Sequence, residues 1–317
     1  MDVMQPIRVT LQNTIVFTVC NAEQYPYTKV LAESLPANCL FKVGIIEGHF
    51  EDLNTVSVAN LPFPVLTSMR SRYDDAAFSA AVMPFLGEYF LQQEGIEKVI
   101  YFDPTIQVLS NLQAVLAPLQ SSDILLTPRI TKKFSNALYG DEKLFLNSGM
   151  YDAGFWAVSK TKNSLNFLEW WQNRLIDRAH FDLCHAMNHA QLWLNYVPIY
   201  FEKVAVVKNI GWNVSLQNLH ERVLTKQNKK WMVNLVEPLV FVNFKEMLHA
   251  NKISLSASET QNLINQYLIA LKKNSPTSPA TFSLYQTTNH EKFSWKDALS
   301  QQIQRIIDLI NHFPLYH

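Results

Sequence analysis

The stretch Tyr101-Phe102-Asp103-Pro104-Thr105-Ile106 sets a carboxylate at the end of an apolar run, Val99 to Phe102. The run reads as a buried strand. A carboxylate at the tip of such a strand offers the hard oxygen that Mg²⁺ or Mn²⁺ prefers. A divalent site needs about two carboxylates, or a carboxylate and an imidazole, to compete with water. Two positions on, this chain has Thr105, a hydroxyl instead of a second charge. Asp-Pro is also a common turn opener, so a purely structural role stays open for Asp103.

Other groupings carry less. His185 and His189 are four apart, a spacing that suits a metal on one helix face, but no Glu or third ligand accompanies them. Asp74-Asp75, after Arg70 and Arg72, reads as a charged surface loop. Trp170-Trp171 could stack on a sugar. Their helical context argues instead for one core ring and one half-exposed ring. Asn213 and Asn218 could hydrogen-bond a sugar or tie down a loop. The chain has only 8 glycines and no glycine-rich phosphate loop.

The elements that position these groups alternate. Thr14 to Val19 reads as a first strand, and Pro26 opens a helix to about Leu35. Phe41 to Ile46 is a second strand, and Pro64 to Leu66 a short third. Ala76 to Gln93 reads as a helix with Pro84 as a kink point. Val99 to Phe102, Ile124 to Thr127 and, later, Leu239 to Phe244 complete the strands. The expected fold is an α/β, mainly parallel mixed sheet flanked by helices. Ligands bind beyond the carboxyl ends of strands in such sheets, where Asp103 lies. Thr161 to about Asp177 is an amphipathic helix, with Leu165, Leu168, Trp171 and Leu175 on one face. Ser256-x-x-Glu259 reads as a capping box for a helix to about Leu271. The expected organisation is a domain over 1–250 and a helical C-terminal extension over 251–317, with a linker near 274–290. Ile303, Ile306, Ile307 and Ile310 form an apolar stripe in the last helix.

Bulk composition excludes some functions. Of 317 residues, 48% are hydrophobic and 17% charged, and 27 basic residues balance 27 acidic ones. Net charge therefore gives no reason to expect a nucleic-acid partner. Three scattered cysteines suit buried thiols in a reducing compartment. No apolar run approaches the roughly 20 residues that span a bilayer. The expectation is a cytoplasmic protein, with peripheral membrane contact and oligomerisation left open.

Read together, ordered segments from about Thr14 to Met247 resemble bacterial GT-A-fold glycosyltransferases of the glycogenin and lipopolysaccharide galactosyltransferase type. They are Tyr101 to Pro104, Ile124 to Pro128, Asn147 to Phe155, Phe167 to Trp171, Gly211 to Val214, Asn218 to Arg222 and Pro238 to Phe241. The resemblance implies transfer of a sugar from a nucleotide diphosphosugar, a UDP-sugar, to a bacterial surface glycan or its precursor. The partners would be the nucleotide sugar and the glycan acceptor. Thr18 and Asn21 would help hold the nucleotide. Asp103, as metal or diphosphate contact, would complete the donor site with Thr105, Asn243 and Lys245, with Mg²⁺ or Mn²⁺ as the implied cofactor. Arg129, Asn147, Asp152 and Gln191 would contact substrate.

Departures from the family pattern fall on its polar positions. Asp-Pro-Asp becomes Asp103-Pro104-Thr105, and Lys-Pro becomes Met83-Pro84. Thr-Pro-His becomes Thr127-Pro128-Arg129, and Asp-Gln becomes Ala190-Gln191. His-Phe-Ser-Gly becomes Asn243-Phe244-Lys245-Glu246. Arg129 and Lys245 are cations able to hold a leaving diphosphate in place of a metal. The rival expectation is a catalytically inactive glycosyltransferase-like protein that binds a glycan or a partner protein. No catalytic base or nucleophile is assigned.

Overall fold

The computed structural model describes residues 11–48, 52, 54–134, 139–182, 187–248 and 258–275. The strands are β1 Thr14–Cys20, β2 Leu40–Ile45, β3 Thr55–Ser57, β4 Lys98–Phe102, β5 Ile106–Val108, β6 Ile124–Pro128, β7 Tyr151–Ser159, β8 Phe181–Asp182, β9 Met187–Asn188, β10 Val204–Val206, β11 Leu224–Gln227, β12 Lys230–Val233, β13 Glu237–Pro238 and β14 Phe241–Asn243. The helices are α1 Tyr25–Ser34, α2 Val65–Arg72, α3 Asp75–Leu91, α4 Gln113–Leu116, α5 Tyr139–Ser148, α6 Lys162–Leu175, α7 Val197–Tyr200 and α8 Ser258–Asn274.

Seven strands form the main sheet in the order β10-β6-β7-β4-β1-β2-β3. All neighbours are parallel except β7, which runs antiparallel to both β4 and β6. This is the mainly parallel mixed sheet, flanked by helices, that the sequence leads one to expect. Strand alternation divides the core between the two faces. Phe17, Tyr101 and Trp156 face one side, against α3 and α6. Val16, Phe102 and Phe155 face the other, against α1, α4 and Phe241. Tyr101 and Trp156 stack at 5.7 Å, and Trp156 meets Trp171 of α6 edge-on at 5.6 Å.

Local signals set the helix starts. Asp74 caps α3 by accepting the Ala77 N–H at 2.8 Å. Thr161 and Ser164 form a capping box at α6. Trp171 is fully buried, whereas Trp170 lies half-buried among Trp193, Tyr196, Tyr200 and Phe201. One expectation is overturned: Pro64 to Leu66 is not a strand. Pro64 holds a helical backbone, with φ −57°, at the entry to α2. Proline supplies that φ in advance and has no N–H for a ladder. The short third strand is instead Thr55–Ser57, paired parallel to β2.

Within the unit that ends at Ser275, α8 packs on α1. No helix among the described residues is long and apolar enough to cross a membrane. His185, Ser256, most of the expected linker and the Ile303 to Ile310 stripe lie outside the described residues.

Candidate functional site at the carboxyl edge of the sheet

Strand direction brings distant residues to one edge. β1, β4 and β6 are parallel, so Asn21, Asp103 and Arg129, each just beyond its strand, lie at the same end. β7 runs the other way, so its beginning, Tyr151-Asp152, reaches that end too. The register pairs Phe102 with Phe155, and the Asp103 N–H then donates to the Gly154 carbonyl at 2.7 Å. β14 arrives by pairing antiparallel with β5, Asn243 opposite Ile106.

Gly154 is the centre of the arrangement. A Cβ there would lie 2.8 Å from Asn243 Nδ2, 2.9 Å from Asp152 Oδ1 and 3.4 Å from Asp103 Cβ. Three polar side chains from three strands therefore converge on a position that only a hydrogen atom fits. Asp103 is nearly buried, 8% exposed. Its Oδ1 accepts the Thr105 N–H at 3.0 Å and the Thr105 hydroxyl at 2.6 Å. Its Oδ2 accepts from the Lys245 ammonium at 3.4 Å. Asn243 Oδ1 accepts the Lys245 N–H at 3.1 Å and lies 3.2 Å from the Thr105 hydroxyl. Asp152 accepts the Gly154 N–H at 2.7 Å and the Asn213 amide at 2.8 Å.

The donor set does not fit a divalent cation. Such ions take about six oxygens, with carboxylates dominant. Here both oxygens of Asp103 and both of Asp152 already accept hydrogen bonds, and Asn243 turns its amide nitrogen, a donor, toward Gly154. An ammonium rests on Asp103. Among the described residues no three His, Cys, Asp or Glu side chains are grouped for a metal.

Other expected site residues take different places. Arg129 is 6% exposed and points inward. Its Nη1 donates to the Ser148 hydroxyl and, at 3.3 Å, to the Gly149 carbonyl, while Nη2 lies 3.9 Å from Glu246. Gln191 donates to the Ser148 carbonyl and accepts from Ala153 N–H at 3.5 Å. Arg129 and Gln191 thus clamp the turn between α5 and β7, where Gly149 adopts φ +93°. Desolvation raises the Glu246 carboxyl above its ordinary pKa, with Arg129 opposing. Asn147 is exposed at the end of α5. Thr18 is wholly buried within β1, and its hydroxyl has no hydrogen-bond partner among the described residues. The structure does not bring either into the cluster. Asn21 accepts the Gln24 N–H at 2.9 Å and donates to Asp75 at 3.3 Å, beside the Arg70–Asp75 ion pair.

Asn218 holds a loop by donating to the Arg129 and Asn213 carbonyls at 2.9 and 3.0 Å. Asn213, with φ +51°, donates to Thr127 and Asp152. Sequence reasoning missed Tyr267. This α8 ring stacks on Phe244 at 4.0 Å, and burial holds its phenol well above the ordinary pKa, with Tyr27 and Asp103 acting in the same direction. Tyr267 lies on the face of α8 that also buries Leu263, Ile264 and Leu271.

No protein-family model matches the chain. It is 21% identical over 201 residues to the uncharacterized protein YfnF of Bacillus subtilis (strain 168), a match over 61% of this chain and 64% of that protein. Three solved structures are similar in fold. The galactosyltransferase LgtC, in complex with donor and acceptor sugar analogs, matches over 86% of this chain and all of its own, at 14% identity and TM-score 0.48. A glycosyltransferase involved in glycosylating the major capsid of PBCV-1 covers 73% of this chain and 93% of its own, at 9% identity and TM-score 0.41. Mouse xyloside xylosyltransferase 1, in its apo form, covers 64% and 87%, at 14% identity and TM-score 0.36. All three are glycosyltransferases.

Proposed function

We propose that this chain is a glycosyltransferase of GT-A type that takes a sugar from a nucleotide diphosphosugar, with a uridine donor and a surface-glycan acceptor as the specific reading. The observation that supports it is the convergence of Asp103, Asp152, Asn243 and Lys245 at the carboxyl edge of a mainly parallel sheet, where such sheets bind ligands. In this reading Lys245, whose side chain is 41% exposed, meets the diphosphate and offsets charge developing on the leaving nucleoside diphosphate. Asn243 and the Asp103 turn hold Lys245 in place. Asp152 and Gln191 lie on the sugar side. Arg129 acts through the Ser148-Gly149 turn as a positioning residue. The 1–250 boundary of the catalytic domain is replaced in this proposal by one near Ser275, because α8 packs on α1 and walls the site through Tyr267.

A second reading has its own observation. The five charges at the site, Asp103, Asp152 and Glu246 against Arg129 and Lys245, sum formally to −1, and every carboxylate among them is already engaged. That arrangement suits a non-catalytic protein binding neutral glycan hydroxyls. Calorimetric titration with UDP, a panel of UDP-sugars and oligosaccharides separates the two. The enzyme reading expects UDP binding and slow donor hydrolysis. Glycan binding without UDP binding overturns it.

A further inference from the structure

We propose that the cavity walled by Lys132, Lys133 and His220 is a phosphate-binding subsite, which takes a phosphate group borne by the acceptor. The assignment to the acceptor rests on the glycosyltransferase reading; the phosphate site itself does not.

The cavity measures about 460 Å³, within the range of about 300–1,000 Å³ typical of small-molecule sites. Lys132, Lys133, His220, Glu221, Val223 and Asn234 line it. Most of their polar atoms are already engaged. Glu221 is buried, and its carboxylate accepts the Thr131 N–H at 3.0 Å, the Thr131 hydroxyl at 3.0 Å and the Lys132 N–H at 2.6 Å. Arg222 Nε lies 3.4 Å from the same carboxylate and balances its charge. Asn234 Oδ1 accepts the Val223 N–H at 2.7 Å, and its amide donates to the Glu221 carbonyl at 3.0 Å. His220 Nδ1 donates to the Gln217 carbonyl at 3.0 Å, and its ring stacks on Phe134 at 4.1 Å. Only the cations are left over. Neither the Lys132 nor the Lys133 ammonium has a partner among the described residues. Two uncompensated ammonium groups beside a neutralised carboxylate favour an anion, and lysine binds phosphate oxygens as a point charge.

The cavity adjoins the candidate site. The chain leaving β6 runs from Arg129 to Lys132 in three residues. The Gln217 amide donates to Glu246, which lies 3.9 Å from Arg129, while the Gln217 carbonyl holds His220. A donor diphosphate at Lys245 and a phosphate at Lys132 and Lys133 would therefore be held by different cations on neighbouring loops.

The test is calorimetric titration of the full chain with glucose 6-phosphate, glucose and inorganic phosphate at low salt, with and without UDP. Glucose 6-phosphate is expected to bind and glucose is not. Glucose 6-phosphate should also bind more tightly than inorganic phosphate; equal affinities overturn the acceptor assignment. Replacing both lysines, Lys132→Ala with Lys133→Ala, should weaken glucose 6-phosphate at least tenfold and leave Tm unchanged, since both side chains are exposed. Lys132→Gln with Lys133→Gln should lose as much. Lys132→Arg with Lys133→Arg, which keeps the charge, should stay within about threefold of wild type. Lys160→Ala with Lys162→Ala removes the same charge beyond the end of antiparallel β7, at the opposite edge of the sheet, and should change nothing. Salt at about 0.5 M should weaken binding by screening. UDP should not compete. The inference is overturned if wild type binds neither phosphate compound, or if binding survives loss of both lysines. Equal loss in the Lys160 and Lys162 variant, or displacement by UDP, also overturns it. Failure of UDP to bind under any condition overturns the nucleotide-sugar reading alone, because the phosphate titrations need no nucleotide.

Discussion

Gly154→Ala is the sharpest test of how the site is built. The added Cβ would lie 2.8 Å from Asn243 Nδ2 and 2.9 Å from Asp152 Oδ1, against an ordinary contact of about 3.5–4.0 Å. Something must open by about half an ångström or more, and the two nearest atoms are side-chain ends that hydrogen bonds hold in place. Asp152 is held by Gly154 N–H and Asn213, Asn243 by its neighbours Thr105 and Lys245. Gly154 is not in the left-handed region, so the penalty is steric and not a matter of backbone φ. Overpacking of this kind costs about 1–3 kcal/mol. For a unit of this size that is a fall in Tm of about 2–10 °C. The same displacement separates Asp152 from Asn243, so ligand affinity at the site should fall with stability. Urea and thermal denaturation give the first effect, calorimetry the second. Gly95→Ala is the control. Its Cβ meets nothing within 4 Å, but φ is +75°, so it should lose about 1–2 kcal/mol to backbone strain and leave ligand binding unchanged. A Gly154→Ala protein with wild-type Tm and wild-type affinity would refute the close convergence of the three side chains.

Other expectations follow from single contacts. Arg129→Ala should destabilise the fold by about 2–4 kcal/mol in urea denaturation, since Ser148, Gly149 and Glu246 all lose their partner; Arg129→Lys should recover little, because a point charge cannot reproduce the fork. Asn213→Asp exchanges an amide donor for an acceptor 2.8 Å from Asp152, so it should cost about 2–3 kcal/mol at pH 7, measured by urea denaturation. A hydrogen bond from Lys29, aided by Asn54 N–H and Tyr25, pulls the Asp52 pKa down to about 2. A depressed carboxylate stabilises the fold above its unfolded value near 4, and that contribution is lost as pH falls toward 2. Allowing for solvent screening it is about 1 kcal/mol. Asp52→Asn should flatten the acid limb of a stability-versus-pH curve by that amount and leave neutral-pH ligand binding unchanged.

Much of the frame was legible in the chain. Apolar runs ending on Val19, Phe102 and Thr127 announce strands, and Thr161 opens a helix, because strand burial and amphipathic spacing are local physics; Asp74-Asp75, read as a charged surface loop, instead caps and begins α3. Asp103 could be placed at the ligand edge for the same reason. Pro64 was misread because three residues hold too little pattern to tell a strand from a helix entry. The resemblance put Thr18 at the nucleotide; β1, with neighbours on both sides, buries it.

The sequence alone determined the α/β alternation and the carboxylate at the tip of β4. Tertiary structure decided what surrounds that carboxylate. Antiparallel β7 brings Asp152 and Gly154 to Asp103, β5–β14 pairing brings Lys245 onto it, and the α5–β7 turn draws Arg129 inward. Each of these contacts joins residues far apart in sequence, and charge pairing over such separations depends on strand direction and register, which no local pattern encodes.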